Sequence, residues 1–220
     1  MTRALNAERR GPPVGLSTSL VILVHGYGAN GADLIGLADP LGPHLPGTAF
    51  LAPDAPEPCA VNPMGFQWFP IPWIDGSSEA ASRAGMLAAA ADLDAYVTQA
   101  MAAEGVGPGR TALLGFSQGT MLCLHIAPRR AEPLAGVVAF SGRLLDAGAL
   151  SAEAVSKPPV LLIHGDKDEV VPPQSLTEAG QALSRAGFEV YAHVMKGTGH
   201  GIAPDGLSVA LSFLRDRQVI

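Results

Sequence analysis

The sequence has few cysteines and no long apolar run, and each shortage excludes a class of protein. Two cysteines among 220 residues, Cys59 and Cys123, are too few for the disulfide framework of a small secreted domain. They are also too far apart for a CxxC site, and no HExxH pattern occurs, so we expect neither a metal nor a cofactor. No stretch approaches the roughly 18 apolar residues that a membrane-spanning helix needs.

Positively charged residues are scarce as well. The chain contains 14 Lys and Arg against 20 Asp and Glu, which gives a net charge of −6. Because nucleic-acid binding depends on clustered Lys and Arg, a nucleic-acid partner is not expected. The start of the chain lacks the apolar region of a signal peptide, so we predict a cytoplasmic protein without stable membrane insertion.

Short apolar runs alternate with helix-compatible stretches along the chain. The runs predict strands at 20–24, 49–52, 112–114, 136–140, 160–163 and 189–194. The stretches predict helices at 32–37, 78–104, 118–127, 174–186 and 206–217. This alternation predicts an α/β protein with a mostly parallel central sheet and helices on both faces. Length and 48% apolar content favour one domain over residues 1–220, with 1–17 either flexible or an extra edge strand.

A sharp turn around Ser117 carries the first chemical signal. Residues 115–119 read Gly-Phe-Ser-Gln-Gly, the GxSxG pattern of a nucleophile elbow. The two glycines permit a close backbone approach that a side chain would block. A predicted strand precedes this turn, and a helix-compatible stretch follows it as far as Pro128. Strand, turn and helix in this order are what an elbow requires.

Other reactive side chains also follow predicted strands. Asp166 and Asp168 come after the fifth strand, and His200 comes after the last. Because ligands of parallel sheets bind at the carboxyl ends of the strands, we expect these residues near Ser117. Serine, aspartate and histidine in this order match the α/β hydrolases, where histidine takes the serine proton and a carboxylate orients the imidazole. Asp166 could simply brace the turn, whereas Asp168 lies further into the loop and reaches the His200 loop more easily. Spacing alone favours Asp168 only modestly.

Backbone N–H groups complete the predicted site. In an oxyanion hole one donor follows the nucleophile and another lies in the loop after an early strand, which here means Gln118 and Tyr27. His25 precedes the glycine of that loop, and we interpret it as a bracing residue. His44, His125 and His193 lie outside this pattern and are assigned core or surface roles.

Together these motifs resemble the carboxylesterase family of α/β hydrolases that includes lysophospholipases and acyl-protein thioesterases. The resemblance covers roughly residues 18–215 and rests on the segments 25–33, 67–69, 115–119, 164–172 and 199–202. It implies an α/β-hydrolase fold without a large cap domain. It also implies Ser117, Asp168 and His200 as catalytic triad, with Tyr27 and Gln118 at the oxyanion positions. Two residues depart from the family pattern, Thr120 and Glu169, where many members carry glycine and proline.

An aromatic segment, residues 53–75, breaks the alternation with six prolines and both tryptophans. Long ordered loops of this kind are usually functional. Given the resemblance, we expect an apolar acyl pocket beside the serine. Its candidate residues are Trp68, Phe69, Phe66, Trp73 and Val171. For Phe66 and Trp73, ordinary packing against the sheet edge is an equally favoured interpretation.

The leading hypothesis is a serine carboxylic-ester hydrolase that cleaves small or single-chain acyl esters through an acyl-enzyme intermediate. The alternative is an acyl-protein or acyl-carrier thioesterase, or a lysophospholipase, with the same machinery. A non-catalytic binding module with a hydrolase fold is a remote alternative, because all three triad residues are present. The expected partner is a small or lipid-like acyl ester, and the sequence leaves open whether the chain forms a homodimer.

Overall fold

A seven-stranded, mostly parallel sheet lies at the centre of the protein, whose computed structural model describes residues 2–218. The strands are β1 (Ala7–Arg10), β2 (Ser19–Val24), β3 (Thr48–Pro53), β4 (Glu57–Pro58), β5 (Phe66–Gln67), β6 (Thr111–Phe116), β7 (Gly136–Phe140), β8 (Val160–Gly165) and β9 (Val190–Met195). The central sheet has the order β1-β3-β2-β6-β7-β8-β9, and β4 pairs with β5 in a separate hairpin. Only β1 runs antiparallel to its neighbour in the central sheet.

Helices cover both faces of this sheet, which confirms the predicted α/β architecture. They are α1 (Gly31–Ile35), α2 (Ala38–Leu41), α3 (Pro72–Asp75), α4 (Glu79–Glu104), α5 (Gln118–Ile126), α6 (Leu150–Glu153), α7 (Gln174–Arg185) and α8 (Pro204–Gln218). Strand β2 illustrates the two faces, because successive side chains of a strand point to opposite sides. Leu20, Ile22 and Val24 belong to the core cluster that includes residues of α4, α5 and α7. Val21 and Leu23 belong to the cluster on the other face, which includes residues of α1, α2 and α8.

The first residues of the chain are held to this sheet by buried carboxylates of α4. The Arg9 guanidinium donates to both oxygens of Glu104 at 2.8 and 2.9 Å. The backbone N–H and side chain of Arg3 both donate to Asp92 at 2.7 Å. Edge strand β1 therefore occupies part of the segment for which the sequence left two alternatives.

The short elements were not predicted from the sequence. The β4–β5 hairpin lies inside the aromatic segment, and α2, α3 and α6 have only four residues each. Elements of this length are too short to display a period of 2 or 3.6 residues. Both cysteines are buried, and Cys123 is part of the core. No helix in residues 2–218 combines the length and apolar character needed to cross a membrane.

Candidate active site

The turn between β6 and α5 gives Ser117 an unusual backbone conformation. Its φ is 54° and its ψ is −114°, a region that non-glycine residues rarely occupy. The Ser117 N–H donates to the Phe140 carbonyl of β7 at 2.9 Å, which ties the turn to the neighbouring strand. The hydroxyl therefore stands at the carboxyl edge of the sheet, as an elbow requires.

The glycines of this turn are required by backbone packing. A Cβ atom on Gly119 would lie 2.0 Å from the Val24 carbonyl oxygen, and one on Gly115 would lie 2.5 Å from the Thr120 nitrogen. Only glycine lets the first turn of α5 pack this closely against the end of β2. Thr120, which departs from the family pattern, fits because its hydroxyl lies 2.7 Å from the carbonyl oxygens of both Gly115 and Phe140.

The structure brings Ser117, His200 and Asp168 into one chain of hydrogen bonds. The Ser117 Oγ lies 3.0 Å from the Nε2 of His200. The Nδ1 of His200 lies 2.8 Å from the Oδ2 of Asp168. His200 thus joins Ser117 to Asp168, which is the hydrogen-bond arrangement that a Ser-His-Asp triad requires.

The Asp168 carboxylate is buried but well supplied with hydrogen-bond donors. Its Oδ1 accepts from the N–H groups of Val170 and Val171, both at 2.9 Å. Burial opposes ionisation, but the hydrogen bonds from His200, Val171 and Val170 prevail and hold the pKa of Asp168 below its ordinary value. An ionised Asp168 accepts the Nδ1–H of His200, and this leaves the Nε2 as acceptor for the serine proton.

Asp166 occupies a different position. Its Oδ1 accepts from the Gly197 N–H at 2.7 Å, and its Oδ2 lies 3.8 Å from the Lys196 Nζ. It thus braces the turn before His200, the alternative that the sequence left open. Val171, expected in the pocket, is buried and donates its N–H to Asp168. It does not line the cavity described below.

The two candidate oxyanion donors lie where the sequence predicts them, Tyr27 in the loop after β2 and Gln118 directly after Ser117 as the first residue of α5. Among residues 2–218, no acceptor is found for the backbone N–H of Tyr27 or of Gln118. Both groups therefore remain available to a ligand, as an oxyanion hole requires. The side chain of Gln118 is fully engaged, since its Oε1 accepts from the Trp68 N–H at 2.9 Å and its Nε2 donates to the Phe69 carbonyl at 2.8 Å.

His25 braces the loop that contains Tyr27. Its Nδ1 lies 2.7 Å from the Gly26 carbonyl oxygen, and its Nε2 accepts from the Ala55 N–H at 2.9 Å. Burial lowers the pKa of His25 despite the hydrogen bond to Gly26, which favours the neutral ring. Both ring nitrogens are occupied, so His25 has no lone pair left for proton transfer.

The aromatic segment supports the site mainly from beneath the surface. Trp68, expected to wall the pocket, is fully buried, and its indole N–H donates to the His25 carbonyl at 2.9 Å. Phe66 exchanges backbone hydrogen bonds of 2.8 Å with Gly28 and Ala29. Both residues therefore hold the loop that contains Tyr27 in place, and neither lines the cavity described below. A buried indole N–H needs an acceptor, and the His25 carbonyl supplies it, so the Trp68 ring can be buried without an unpaired polar group.

An open cavity of about 170 Å³ reaches α5 at Met121, one helical turn after Ser117. Its apolar lining comprises Phe69, Ile71, Pro72, Trp73, Met86, Met121 and Leu145, and its polar lining comprises Glu79, Ser82, Arg83, Arg143 and Asp146. Of the predicted pocket residues, Phe69 and Trp73 contribute to it. The Trp73 ring is exposed at this cavity, and the Arg143 guanidinium lies 5.7 Å from its centroid. Met121 belongs to the first turns of α5, and its N–H donates to the Ser117 carbonyl at 3.2 Å.

Several residues of the candidate site and of the cavity were not predicted from the sequence. The Phe116 ring lies 4.9 Å from the His200 ring, yet it occupies a position that the GxSxG pattern does not specify. Met86, Met121 and Leu145 come from separate segments, so no local pattern joins them. Within residues 2–218, no three His, Cys, Asp or Glu side chains cluster as ligands of a metal ion.

Known proteins resemble this chain over almost its whole length. A family model described as phospholipase/carboxylesterase matches residues 12–217. Esterase YpfH of Escherichia coli K12 is 31% identical over 198 residues, which are 89% of this chain and 82% of YpfH. Acyl-protein thioesterase 1 of Neurospora crassa is 31% identical over 94% of this chain and 89% of its own length. The crystal structure of esterase PE8 superposes with a TM-score of 0.92 at 42% identity, covering 98% of this chain and 100% of PE8.

Replacing Gly119 by alanine should separate α5 from β2. Since the new Cβ would lie 2.0 Å from a backbone oxygen, the helix must shift, and we expect the free energy of unfolding to fall by about 3 kcal/mol or more. Urea unfolding followed by circular dichroism measures this. The control is Gly107→Ala, whose Cβ meets no atom within 4 Å and which should change stability by less than about 1 kcal/mol. Equal stability of the two variants would refute the packing argument.

Proposed function

The chain belongs to the phospholipase/carboxylesterase family of α/β hydrolases, and from this membership we propose that it is a serine hydrolase of carboxylic esters. The observation that carries the proposal is the hydrogen-bond chain from Ser117 through His200 to Asp168, with distances of 3.0 and 2.8 Å. A serine hydroxyl is a poor nucleophile at neutral pH, and this arrangement supplies the base that it needs.

Acylation follows from the positions of these atoms. The Ser117 Oγ attacks the ester carbonyl carbon while the Nε2 of His200 takes the hydroxyl proton. The ionised Asp168 stabilises the imidazolium that forms. The carbonyl oxygen becomes an oxyanion, which accepts hydrogen bonds from the N–H groups of Tyr27 and Gln118. When the tetrahedral intermediate collapses, His200 returns its proton to the leaving alcohol and the acyl group stays on Ser117.

Deacylation repeats these steps with water. The Nε2 of His200 takes a proton from a water molecule, whose oxygen attacks the acyl carbon. The second tetrahedral intermediate collapses with release of the carboxylic acid, and the Ser117 oxygen recovers its proton from His200. The same two backbone donors serve both intermediates, because the carbonyl carbon stays attached at the same Oγ.

The cavity beside the elbow fits the acyl group. Two of its lining residues are connected to the turn at Ser117. Met121 follows Ser117 by one helical turn, and the Phe69 carbonyl accepts a hydrogen bond from the Gln118 side chain. Its volume of about 170 Å³ is similar to that of a ~150 Å³ protein cavity known to hold benzene. We therefore propose an acyl chain of about six carbons or fewer as the preferred substrate.

Thioester hydrolysis is the second candidate, favoured by the relative named acyl-protein thioesterase 1, which matches 94% of this chain. Ser117 attacks a thioester carbonyl in the same way, and a thiolate replaces the alkoxide as leaving group. Matched butyryl ester and butyryl thioester substrates separate the two activities by their kcat/KM values. A thioester preference well beyond the difference in intrinsic reactivity would assign the protein to that branch.

Replacing Ser117 by alanine should abolish ester hydrolysis. We expect kcat/KM for p-nitrophenyl butyrate to fall by about 10⁴-fold or more, because the covalent intermediate cannot form. Initial rates from p-nitrophenol release measure this. Ser151→Ala, at an exposed position on α6, serves as control and should retain the original rate. A Ser117→Ala variant that still hydrolyses the ester at the original rate would contradict the proposed function.

Chain-length preference should follow the size of the cavity. We expect kcat/KM to rise about fourfold per methylene from acetate to hexanoate, as ~0.8 kcal/mol per buried methylene implies, and then to level off. A series of p-nitrophenyl esters measures this. Leu145→Trp narrows the cavity and should remove the gain for hexanoate, whereas Leu87→Trp adds the same ring at an exposed position of α4 outside the cavity. A continued rise beyond octanoate would contradict the assignment of this cavity.

A further inference from the structure

A second histidine contacts the carboxylate that orients His200. His164 lies at the end of β8, and only 3% of its surface is exposed. Its Nε2 is 3.2 Å from the Oδ2 of Asp168 and 2.9 Å from the carbonyl oxygen of Val171. The proton transfers proposed above make no use of His164, although it touches the same oxygen atom as His200.

These two contacts identify the hydrogen on the ring. Both neighbours of the His164 Nε2 are acceptors, one a carbonyl oxygen and the other an ionised carboxylate. An unprotonated nitrogen would place its lone pair against both of them, so Nε2 carries the hydrogen and donates. The shorter contact, to Val171, fixes the ring plane. The longer contact, to Asp168, is a charge contact and not a second hydrogen bond.

The Asp168 carboxylate has three hydrogen-bond donors. They are the N–H groups of Val170 and Val171 on Oδ1 and the ring of His200 on Oδ2. The carbonyl oxygen of Val171 accepts from His164, so a chain of hydrogen bonds joins the end of β8 through Val171 to the carboxylate. This chain restrains the carboxylate against rotation away from His200.

We propose that His164 is a positioning residue for the serine hydrolase activity proposed above. Its Nε2–H fixes the Val171 peptide, whose own N–H holds the Asp168 carboxylate in the orientation that His200 needs. The same Nε2 lies 3.2 Å from the Oδ2 of Asp168, so its N–H dipole offsets part of the carboxylate charge. The first effect raises the turnover rate. The second moderates the attraction of Asp168 for the His200 imidazolium, because a positive dipole beside a carboxylate weakens its attraction for a neighbouring cation.

Other charged groups surround this pair and must be held constant. Lys167 and Glu169 are exposed on the loop after β8, and Asp166 on that loop lies 3.8 Å from Lys196 of the neighbouring loop. Arg143 is exposed on the loop after β7. All of them remain in the variants below, so a difference between these variants reports the donor at position 164.

The test compares two substitutions of His164. His164→Leu removes the donor while keeping an apolar side chain of moderate size. His164→Gln retains an N–H close to the position of Nε2. His125→Leu is the control for losing a buried histidine, since His125 lies on α5 outside the catalytic hydrogen-bond chain. The kcat and KM for p-nitrophenyl butyrate are measured from pH 5 to 9, and thermal unfolding verifies that each variant is folded.

Loss of the donor should act on turnover. We expect kcat of His164→Leu to fall about 10- to 100-fold with KM within roughly twofold, the loss typical of leaving a buried hydrogen-bond acceptor, here the Val171 carbonyl, without its partner. The acid limb of its pH profile should move to higher pH, because the uncompensated carboxylate stabilises the imidazolium of His200. His164→Gln should restore kcat to within about tenfold of the original and return the acid limb. A folded His164→Leu protein with unchanged kcat and pH profile would overturn the proposal.

A measurement without substrate keeps this test independent of the proposed function and of the stability of the variants. Nitrogen-15 NMR of the unsubstituted protein reports which ring nitrogen of His164 carries hydrogen. We expect the Nε2–H tautomer, and an Nδ1–H tautomer would overturn the proposal. If no ester or thioester is cleaved by the unsubstituted protein, the proposed function fails, and the tautomer still decides whether His164 donates to the Val171 carbonyl beside Asp168.

Discussion

The close packing of α5 against the end of β2 is the constraint on which the site depends. Gly119 meets the Val24 carbonyl at a distance that admits no side chain, so the helix begins directly above the neighbouring strand. The chain can then pass from β6 into α5 only through the unusual conformation of Ser117. The loop after β2 packs against the same turn, since a Cβ on Gly26 would lie 3.2 Å from the Cβ of Ser117. Close backbone packing thus fixes the turn at Ser117 and the loop that contains Tyr27.

A buried polar network keeps these two loops together. Trp68 donates to the His25 carbonyl, and Gln118 is bonded to the backbone of Trp68 and Phe69. Every member of this network has its partners within the protein, which makes such networks rigid and specific. The elbow and the oxyanion loop are consequently held by the same aromatic segment. The His164 contact plays the corresponding part on the other side of the site, where it holds Asp168.

Sequence reasoning was most successful where one strand end carries one reactive residue. The alternation of apolar runs and helix-compatible stretches predicted the parallel sheet. The residues that follow these runs predicted that Ser117, Asp168 and His200 would lie close together. It failed where a side chain's role depends on packing between distant segments. Trp68 was expected to line the pocket, but its ring is fully buried and its indole N–H donates to the His25 carbonyl. The cavity is formed by Phe69, Met86, Met121 and Leu145 from four segments, and no spacing along the chain reveals such a set.

The central claim is that the Ser117 hydroxyl is a nucleophile activated by His200. Labelling of the folded protein with a fluorophosphonate, followed by peptide mass spectrometry, tests it most directly because no knowledge of the substrate is needed. Our account predicts one adduct per chain on Ser117, and no adduct after His200→Gln in a protein that remains folded. Labelling at another serine, such as the buried Ser141 of the neighbouring loop, or no labelling at all, would contradict it.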